Sequence, residues 1–232
     1  MVAVTVIVIV LRASHQPNKP MQTPLAATSP EIGFRLIRAS DITPVPWKNG
    51  GGTTRQVAIF PEDASLDTFS WRVSAADVGQ AGPFSIFPGI DRCIVVTRGE
   101  SMVLVDAADQ SRRGLRRGEP FAFAGEAVLA AELPAGPIRD FNLMVRRDQG
   151  FAGELAVRHA AQRLILSAGS AVLHCVEGVF TVLPESGPAS GYRLAVGDSL
   201  LVELPAGCRS AAVDIVPEQD GAMLIDARIR KV

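Results

Sequence analysis

Histidine is scarce in this chain of 232 residues: His15, His159 and His174 are the whole supply, and no two stand in H-x-H spacing. That removes the commonest way for one strand to offer two nitrogen ligands to a metal. Cysteine is as thin. Cys93, Cys175 and Cys208 lie far apart with no C-x-x-C pair, which argues against a disulfide framework and for reduced thiols in a cytoplasmic protein. Neither sign of charge dominates, since 23 Lys and Arg against 24 Asp and Glu leave a formal net charge of −1. No general affinity for nucleic acid or anionic membrane is expected, so any anion recognition has to be local. The apolar run at residues 2–11 falls short of the roughly 18 residues that cross a bilayer. No positive charge precedes it, as an export signal would want. Residues 1–30 read as a poorly ordered extension with Met21 an alternative start, a cleaved export signal being the other reading. A G-x-S-x-G elbow is missing, and Tyr192 is the single tyrosine.

What remains is β in character. From residue 32 onward, runs rich in Val, Ile, Leu and Phe alternate with Gly, Pro and Asp, as sandwich or barrel strands do. Strands are expected at 55–60, 69–74, 92–98, 101–106, 120–123, 128–133 and 141–145, then at 155–158, 163–167, 171–176, 180–183, 199–203, 211–215 and 222–229. A short helical turn fits near 74–78. One repeat organises these runs. Thr97-Arg98-Gly99-Glu100 is followed by Arg117-Gly118-Glu119-Pro120-Phe121, and Val176-Glu177-Gly178-Val179 by Val196-Gly197-Asp198-Ser199-Leu200, the second glycine standing 19 positions after the first in both copies. Matched glycines closing matched hairpins imply two similar barrels. A hairpin glycine followed about twenty residues later by Gly and an acidic residue is cupin spacing. The expected fold is therefore an all-β bicupin, two double-stranded β-helix (jelly-roll) barrels at residues 31–147 and 148–232.

The most distinctive motif is Pro46-Trp47-Lys48-Asn49-Gly50-Gly51-Gly52-Thr53-Thr54-Arg55. Successive glycines let backbone N–H groups form an anion-accepting concavity, with Lys48 and Arg55 supplying charge. The Lys precedes the glycines, so this is no P-loop; a plain hairpin turn is the alternative. Three further blocks follow in order: Phe69-Ser70-Trp71-Arg72-Val73-Ser74, then Gly82-Pro83-Phe84-Ser85-Ile86-Phe87-Pro88-Gly89-Ile90-Asp91-Arg92, then Asp140-Phe141-Asn142-Leu143-Met144-Val145-Arg146. Together they resemble the HutD/Ves family over most of the chain past about residue 34. The resemblance implies a cytoplasmic bacterial bicupin connected with histidine utilisation, an accessory or regulatory protein that senses or sequesters a breakdown intermediate. Urocanate and formiminoglutamate both carry carboxylates. Many cupins hold a metal, but here Arg92 stands where the first barrel's ligands would, and nothing near His174 in sequence completes a second set. No metal and no other cofactor is expected.

Strand alternation puts Ser70, Arg72 and Ser74 on one face, Asp140, Asn142, Met144 and Arg146 on another, Arg92 with Ile94 and Val96, and Arg55 with Val57 and Ile59. Ligand pockets of such barrels lie at the mouth, where inward positions turn polar. The expected site is a first-barrel pocket of Lys48, Asn49, Gly50, Gly51, Gly52, Thr53, Thr54, Arg55, Arg72, Ser74, Arg92, Asp140 and Asn142, taking a small carboxylate-bearing molecule. Arginine suits a bidentate grip on a planar carboxylate. No residue is assigned a catalytic role. The alternative function is a metal-independent isomerase or hydrolase with Asp140 as general base; an ion pair to Arg72 or Lys48 would hold its pKa low and oppose that role. Exposed sheet edges leave a homodimer open.

Overall fold

The structure, a computed structural model, describes residues 31–208 and 210–232; the expectations for residues 1–30 lie outside the described residues. Nineteen strands are described: β1 (Gly33–Ile37), β2 (Val45–Pro46), β3 (Gly52–Phe60), β4 (Trp71–Val78), β5 (Gly82–Pro83), β6 (Ile90–Arg98), β7 (Ser101–Asp106), β8 (Arg112–Arg116), β9 (Phe121–Ala124), β10 (Leu129–Glu132), β11 (Ile138–Arg146), β12 (Phe151–Arg158), β13 (Gln162–Ser167), β14 (Gly169–Glu177), β15 (Phe180–Pro184), β16 (Tyr192–Leu194), β17 (Ser199–Leu204), β18 (Ser210–Pro217) and β19 (Met223–Lys231). Helix is confined to short 3-10 turns at Ala39–Asp41 and Arg147–Gln149 among the described residues.

The repeat seen in the sequence is a repeat of topology. β11 lies between β4 and β6, β6 pairs β9, β10 lies between β5 and β7, and β7 pairs β8. β19 lies between β12 and β14, β14 pairs β17, β18 lies between β13 and β15, and β15 pairs β16. Strands β4–β11 are thus repeated as β12–β19, all antiparallel, in the bicupin arrangement. The bulges match as well: register shifts where Arg98 and Val96 face Arg139 and Asp140, and again where Glu177 and Cys175 face Met223 and Leu224. Gly118 and Gly197 take φ of 82° and 86° and donate to the carbonyls of Val96 and Cys175 at 2.9 and 2.8 Å. A side chain is strained in that region, which is why glycine stands at both places.

The two large sheets, β2-β3-β4-β11-β6-β9 and β1-β17-β14-β19-β12, pack against each other. Val73, Ala75, Phe141, Leu143 and Val145 meet Val172, Leu201, Ile225, Ala227 and Ile229 at this seam. Each large sheet closes its opposite face with a small sheet over its own core, around Ile94, Val96, Met102 and Leu104 in the first barrel and Leu173, Phe180, Val202 and Val213 in the second. Both faces of β11 are therefore buried.

Two sequence expectations are corrected here. The stretch 74–78 is the second half of β4, because β3 and β11 supply ladder bonds on both sides and tertiary pairing overrides the helix preference of two alanines. The strand Gly33–Ile37, placed with residues 31–147, joins the second barrel: it pairs β17 residue for residue, and Phe34 and Leu36 pack on that barrel's core. An unpaired β17 edge would leave a row of backbone groups open.

Asp198 clamps this crossover. Its carboxylate accepts from Arg38 Nη1 at 2.7 Å, from the Ala39 N–H at 2.9 Å and from the Ala195 N–H at 3.1 Å. Burial works to raise its pKa, but the bonds from Ala39, Arg38 and Ala195 outweigh it and hold the carboxyl below the usual range. Replacing Asp198 by Ala should lower stability at pH 7 by about 2–3 kcal/mol. A depressed carboxyl stabilises above the unfolded value and loses that contribution as pH falls, so the gap to wild type should narrow below about pH 4. Urea denaturation of both proteins between pH 7 and pH 3 measures it.

Candidate functional site

Three adjacent strands of the first barrel carry the polar cluster on their inward face. Register stacks it in levels: Arg72, Met144 and Arg92 side by side, then Ser74, Asn142 and Ile94, then Ala76, Asp140 and Val96. Neighbours across a ladder sit about 5 Å apart at Cβ, so two guanidiniums flank one methionine. Arg72 donates from Nε to Gln56 Oε1 at 3.0 Å and from Nη1 to Ser74 Oγ at 3.3 Å. Arg92, 6% exposed, donates from Nη1 to the Ser85 carbonyl at 3.2 Å. The rings of Phe84, Phe87 and Phe123 surround its guanidinium at 5.2, 5.6 and 4.9 Å from their centroids.

Partners run out at the centre of the cluster. Arg92 Nε and Asn142 Oδ1 are buried with no hydrogen-bond partner. Asp140, 4% exposed, has no hydrogen bond or ion pair among the described residues. Burial pushes its pKa up to about 7 against the pull of Arg92, and the charge of Asp77 adds to the rise. An ion pair to Arg72 or Lys48, the condition for a low pKa, is not formed among the described residues. Burial lowers Arg92 to about 10 and also lowers Arg72.

Of the residues expected in the pocket, Arg72, Ser74, Arg92, Asp140 and Asn142 come together. Thr54 shares their face at the level of Asp140, but its hydroxyl accepts from Trp47 Nε1 at 2.7 Å. The others are elsewhere. Gly52 pairs Val78, at the opposite end of β4 from Arg72, six residues or about 20 Å away along a strand. Lys48, Asn49 and Gly50 are exposed in the turn before it. That turn satisfies itself: the Gly50 N–H bonds the Trp47 carbonyl at 3.0 Å and the Gly51 N–H bonds Asn49 Oδ1 at 3.0 Å. A Cβ on Gly52 would come within 2.3 Å of the Asp77 carbonyl, so close packing accounts for that glycine. Thr53 and Arg55 face the seam, where Arg55 pairs with Asp77, which Arg139 also grips at 2.7 and 3.0 Å. The charge of Arg55 is thus spent on a structural pair. Sequence reasoning missed the partners Gln56, Ser85, Met144, Phe84, Phe87 and Phe123, although three of them stand in the block 82–92 that was singled out.

The second barrel shows what this cluster lacks. By register, Asn142 corresponds to Asp226, Met144 to Arg228 and Ala76 to Arg158. Asp226 is fully buried and takes bonds from Arg158 Nη2 at 2.9 Å and Arg228 Nη2 at 2.8 Å. There a built-in carboxylate lies between two arginines. In the first barrel an amide, Asn142, stands at that position, and Arg72 and Arg92 flank Met144 one level away.

Among the described residues no group of three His, Cys, Asp or Glu side chains could hold a metal ion, and no helix is long and apolar enough to cross a membrane. His174 and Cys175 point to opposite sides of β14: His174 packs on Phe141 at the seam and Cys175 lies in the second core.

The HutD family profile matches residues 39–222. The chain belongs to the HutD family. A 21.2 kDa protein in the hutC 3′ region of Pseudomonas putida is 40% identical over 141 residues, 60% of this chain and 72% of its own length. Protein Ves of Citrobacter koseri is 40% identical over 113 residues, 47% of this chain and 58% of its own, so the match spans a little over half of that relative. HutD of Pseudomonas fluorescens SBW25, solved in a formate condition, superimposes with a TM-score of 0.72 at 33% identity over 85% of this chain and all of that one. Bacterial pirin YhhW of Escherichia coli, at 12% identity and a TM-score of 0.57 over 86% of this chain and 99% of that one, shares the fold alone. The HutD profile thus covers the first-barrel cluster and most of the second half of the repeat, ending before Asp226 and Arg228.

That counterpart makes a direct test. Asp226→Asn leaves Arg158 and Arg228 without their buried anion and should destabilise the protein by about 3–5 kcal/mol. Asn142→Asp, which supplies the missing carboxylate, should not. Paired denaturation curves distinguish them.

Proposed function

We propose that this chain binds a small carboxylate in its first barrel, as a non-catalytic accessory or regulatory protein of histidine utilisation. The observation that carries the reading is the contrast between the barrels: where the second seals Asp226 between Arg158 and Arg228, the first has Asn142 in that position and Arg72 and Arg92 one level away, with Arg92 Nε and Asn142 Oδ1 unmatched. A ligand carboxylate supplies what Asp226 supplies on the other side. It accepts from Arg92 Nε and Arg72, while the ligand's own donor meets Asn142 Oδ1. Phe84, Phe87 and Phe123 hold Arg92 in place and shield it from water. HutD membership and a relative from the hutC 3′ region support the link to histidine utilisation, and among its acids urocanate and formiminoglutamate carry the required group.

Calorimetric titration of both acids into the protein tests the reading. Saturable binding is expected, weakened tenfold or more by Arg92→Met, since a charge-assisted hydrogen bond contributes about 1.5–3 kcal/mol. Asn142→Asp should weaken it too, by occupying the site with the protein's own carboxylate. Full affinity in both variants removes the pocket.

Asp140 adds a pH dependence. With a pKa near 7, it is a repelling anion above neutrality and a neutral donor below. An anion bound beside it raises that pKa further, so binding takes up a proton. Affinity should rise as pH falls from 8 to 6, by at most about tenfold per unit. An affinity flat across that range would separate Asp140 from the ligand.

A second reading rests on the same carboxyl. A buried group titrating near 7 beside cations is matched to general acid–base work, which favours an isomerase or hydrolase. Following the acids by chromatography after titration separates the two: ligand recovered intact supports binding alone, and converted ligand makes Asp140 a catalytic base.

A further inference from the structure

We infer that the seam between the barrels holds a second ligand site, built for a small polyvalent oxyanion. A cleft of about 420 Å³ opens there, lined by Arg98, Arg117, Arg139, His174, Glu177 and the turns at Gly99 and Gly197. Its size falls within the range of small-molecule pockets. It lies on the other side of the sheet from Arg92 and Asp140: Arg139 and Asp140 are consecutive on β11 and point to opposite faces.

The lining is rich in donors and positive charge, in a chain whose net charge is −1. Three arginines face one glutamate. Arg117 is anchored by Nε to the Thr97 carbonyl at 2.8 Å and by Nη2 to Glu177. Arg139 is anchored by Asp77, but Arg55 draws on the same carboxylate, so one negative charge serves two guanidiniums. Arg98 is exposed and has no ion pair among the described residues.

His174 is the second, independent observation. It is 6% exposed, and its Nδ1 lies 2.8 Å from Ser199 Oγ. Its ring packs on Phe141 with centroids 4.8 Å apart. Nε2 has no partner among the described residues, in a side chain that lines the cleft. Burial, helped by the charge of Arg139 and opposed by that of Asp198, lowers the ring's pKa to about 4, so it is neutral at working pH. A Ser199 hydroxyl donating to Nδ1 leaves Nε2–H as a donor into the cleft. Guanidiniums and an imidazole N–H, with the one carboxylate already paired, recognise an anion and repel a cation. The site is also no relic of the repeat, because the position matching His174 in the first barrel is Val95.

The test uses the full chain with inorganic phosphate and with citrate as probes, followed by the imidazole proton resonances. Three histidines make assignment by His159→Gln and His174→Gln straightforward. A saturable shift of the His174 signal is expected with one or both probes, at a Kd below about 1 mM. Arg98→Glu should weaken it tenfold or more; that side chain is exposed and without an ion pair, so the fold is not at stake. Arg92→Met should leave it unchanged, which separates this site from the first-barrel pocket. The inference fails on an unsaturated His174 signal with both probes, on an unchanged affinity in Arg98→Glu, or on loss of the signal in Arg92→Met.

Discussion

The pleat of β11 is the constraint on which the first barrel and the seam both depend. Successive strand residues point to opposite faces, and both faces of this strand are buried. Phe141, Leu143 and Val145 go to the packing of one barrel on the other, and Ile138 and Met144 to the first barrel's interior. Asp140 and Asn142 follow the second set, Arg139 the first. A slip of one residue would carry Asp140 and Asn142 into the apolar seam and Phe141 into the polar cluster. The burial of Phe141 and Leu143 thus fixes where the polar residues point. The matched bulges at Arg139/Asp140 and Cys175/Glu177 hold this register in both halves.

Duplication left the skeleton in place and changed what it carries. Gly99, Gly118, Gly178 and Gly197 all keep positive φ, and the pairing order of eight strands is preserved. The inward polar positions have diverged. The second barrel compensates its charges with residues of its own, Asp226 against Arg158 and Arg228. The first carries Arg72 and Arg92 where, by register, the second has Glu154 and Ala171, and neither makes an ion pair among the described residues. Truncating one partner of a buried pair leaves a costly charge behind. Under the proposed function, an anion supplied from outside would compensate the first barrel's arginines.

Much of this was legible in the sequence, and the failures share one cause. The repeat could be read because glycine at a positive-φ turn is a local requirement. Faces within one strand could be read too, so Arg72 with Ser74 and Asp140 with Asn142 were paired correctly. Which strand lies beside which, and at what register, is not a local property. The glycine motif therefore seemed to belong with Arg72, although the two sit at opposite ends of β4. Arg55 was drawn into the pocket because strict alternation was assumed through 55–59, where the bulge between Gln56 and Ala58 sends Ile59 inward and leaves Arg55 at the seam with Asp77. Gly33–Ile37 carried an apolar alternation, but nothing local could say that its partner lay more than 160 residues downstream at Ser199–Leu204.

Magnitudes show how the first barrel would stand without the proposed anion and still gain from one. Leaving a buried polar group unsatisfied costs about 1–3 kcal/mol, and Arg92 Nε and Asn142 Oδ1 both incur it. Against this, cation–π contact contributes about 0.5–2 kcal/mol per ring, and Arg92 has three rings around it. The aromatic cage is of the right size to offset the strain, so the guanidinium can remain charged and buried in the free protein. The rings, however, present only their faces to the cation. They give Nε no acceptor, and they keep out the water that would otherwise fill that role. In the proposed function the arrangement is therefore selective: it tolerates absence of the anion while leaving at Nε a bond that a ligand acceptor would form.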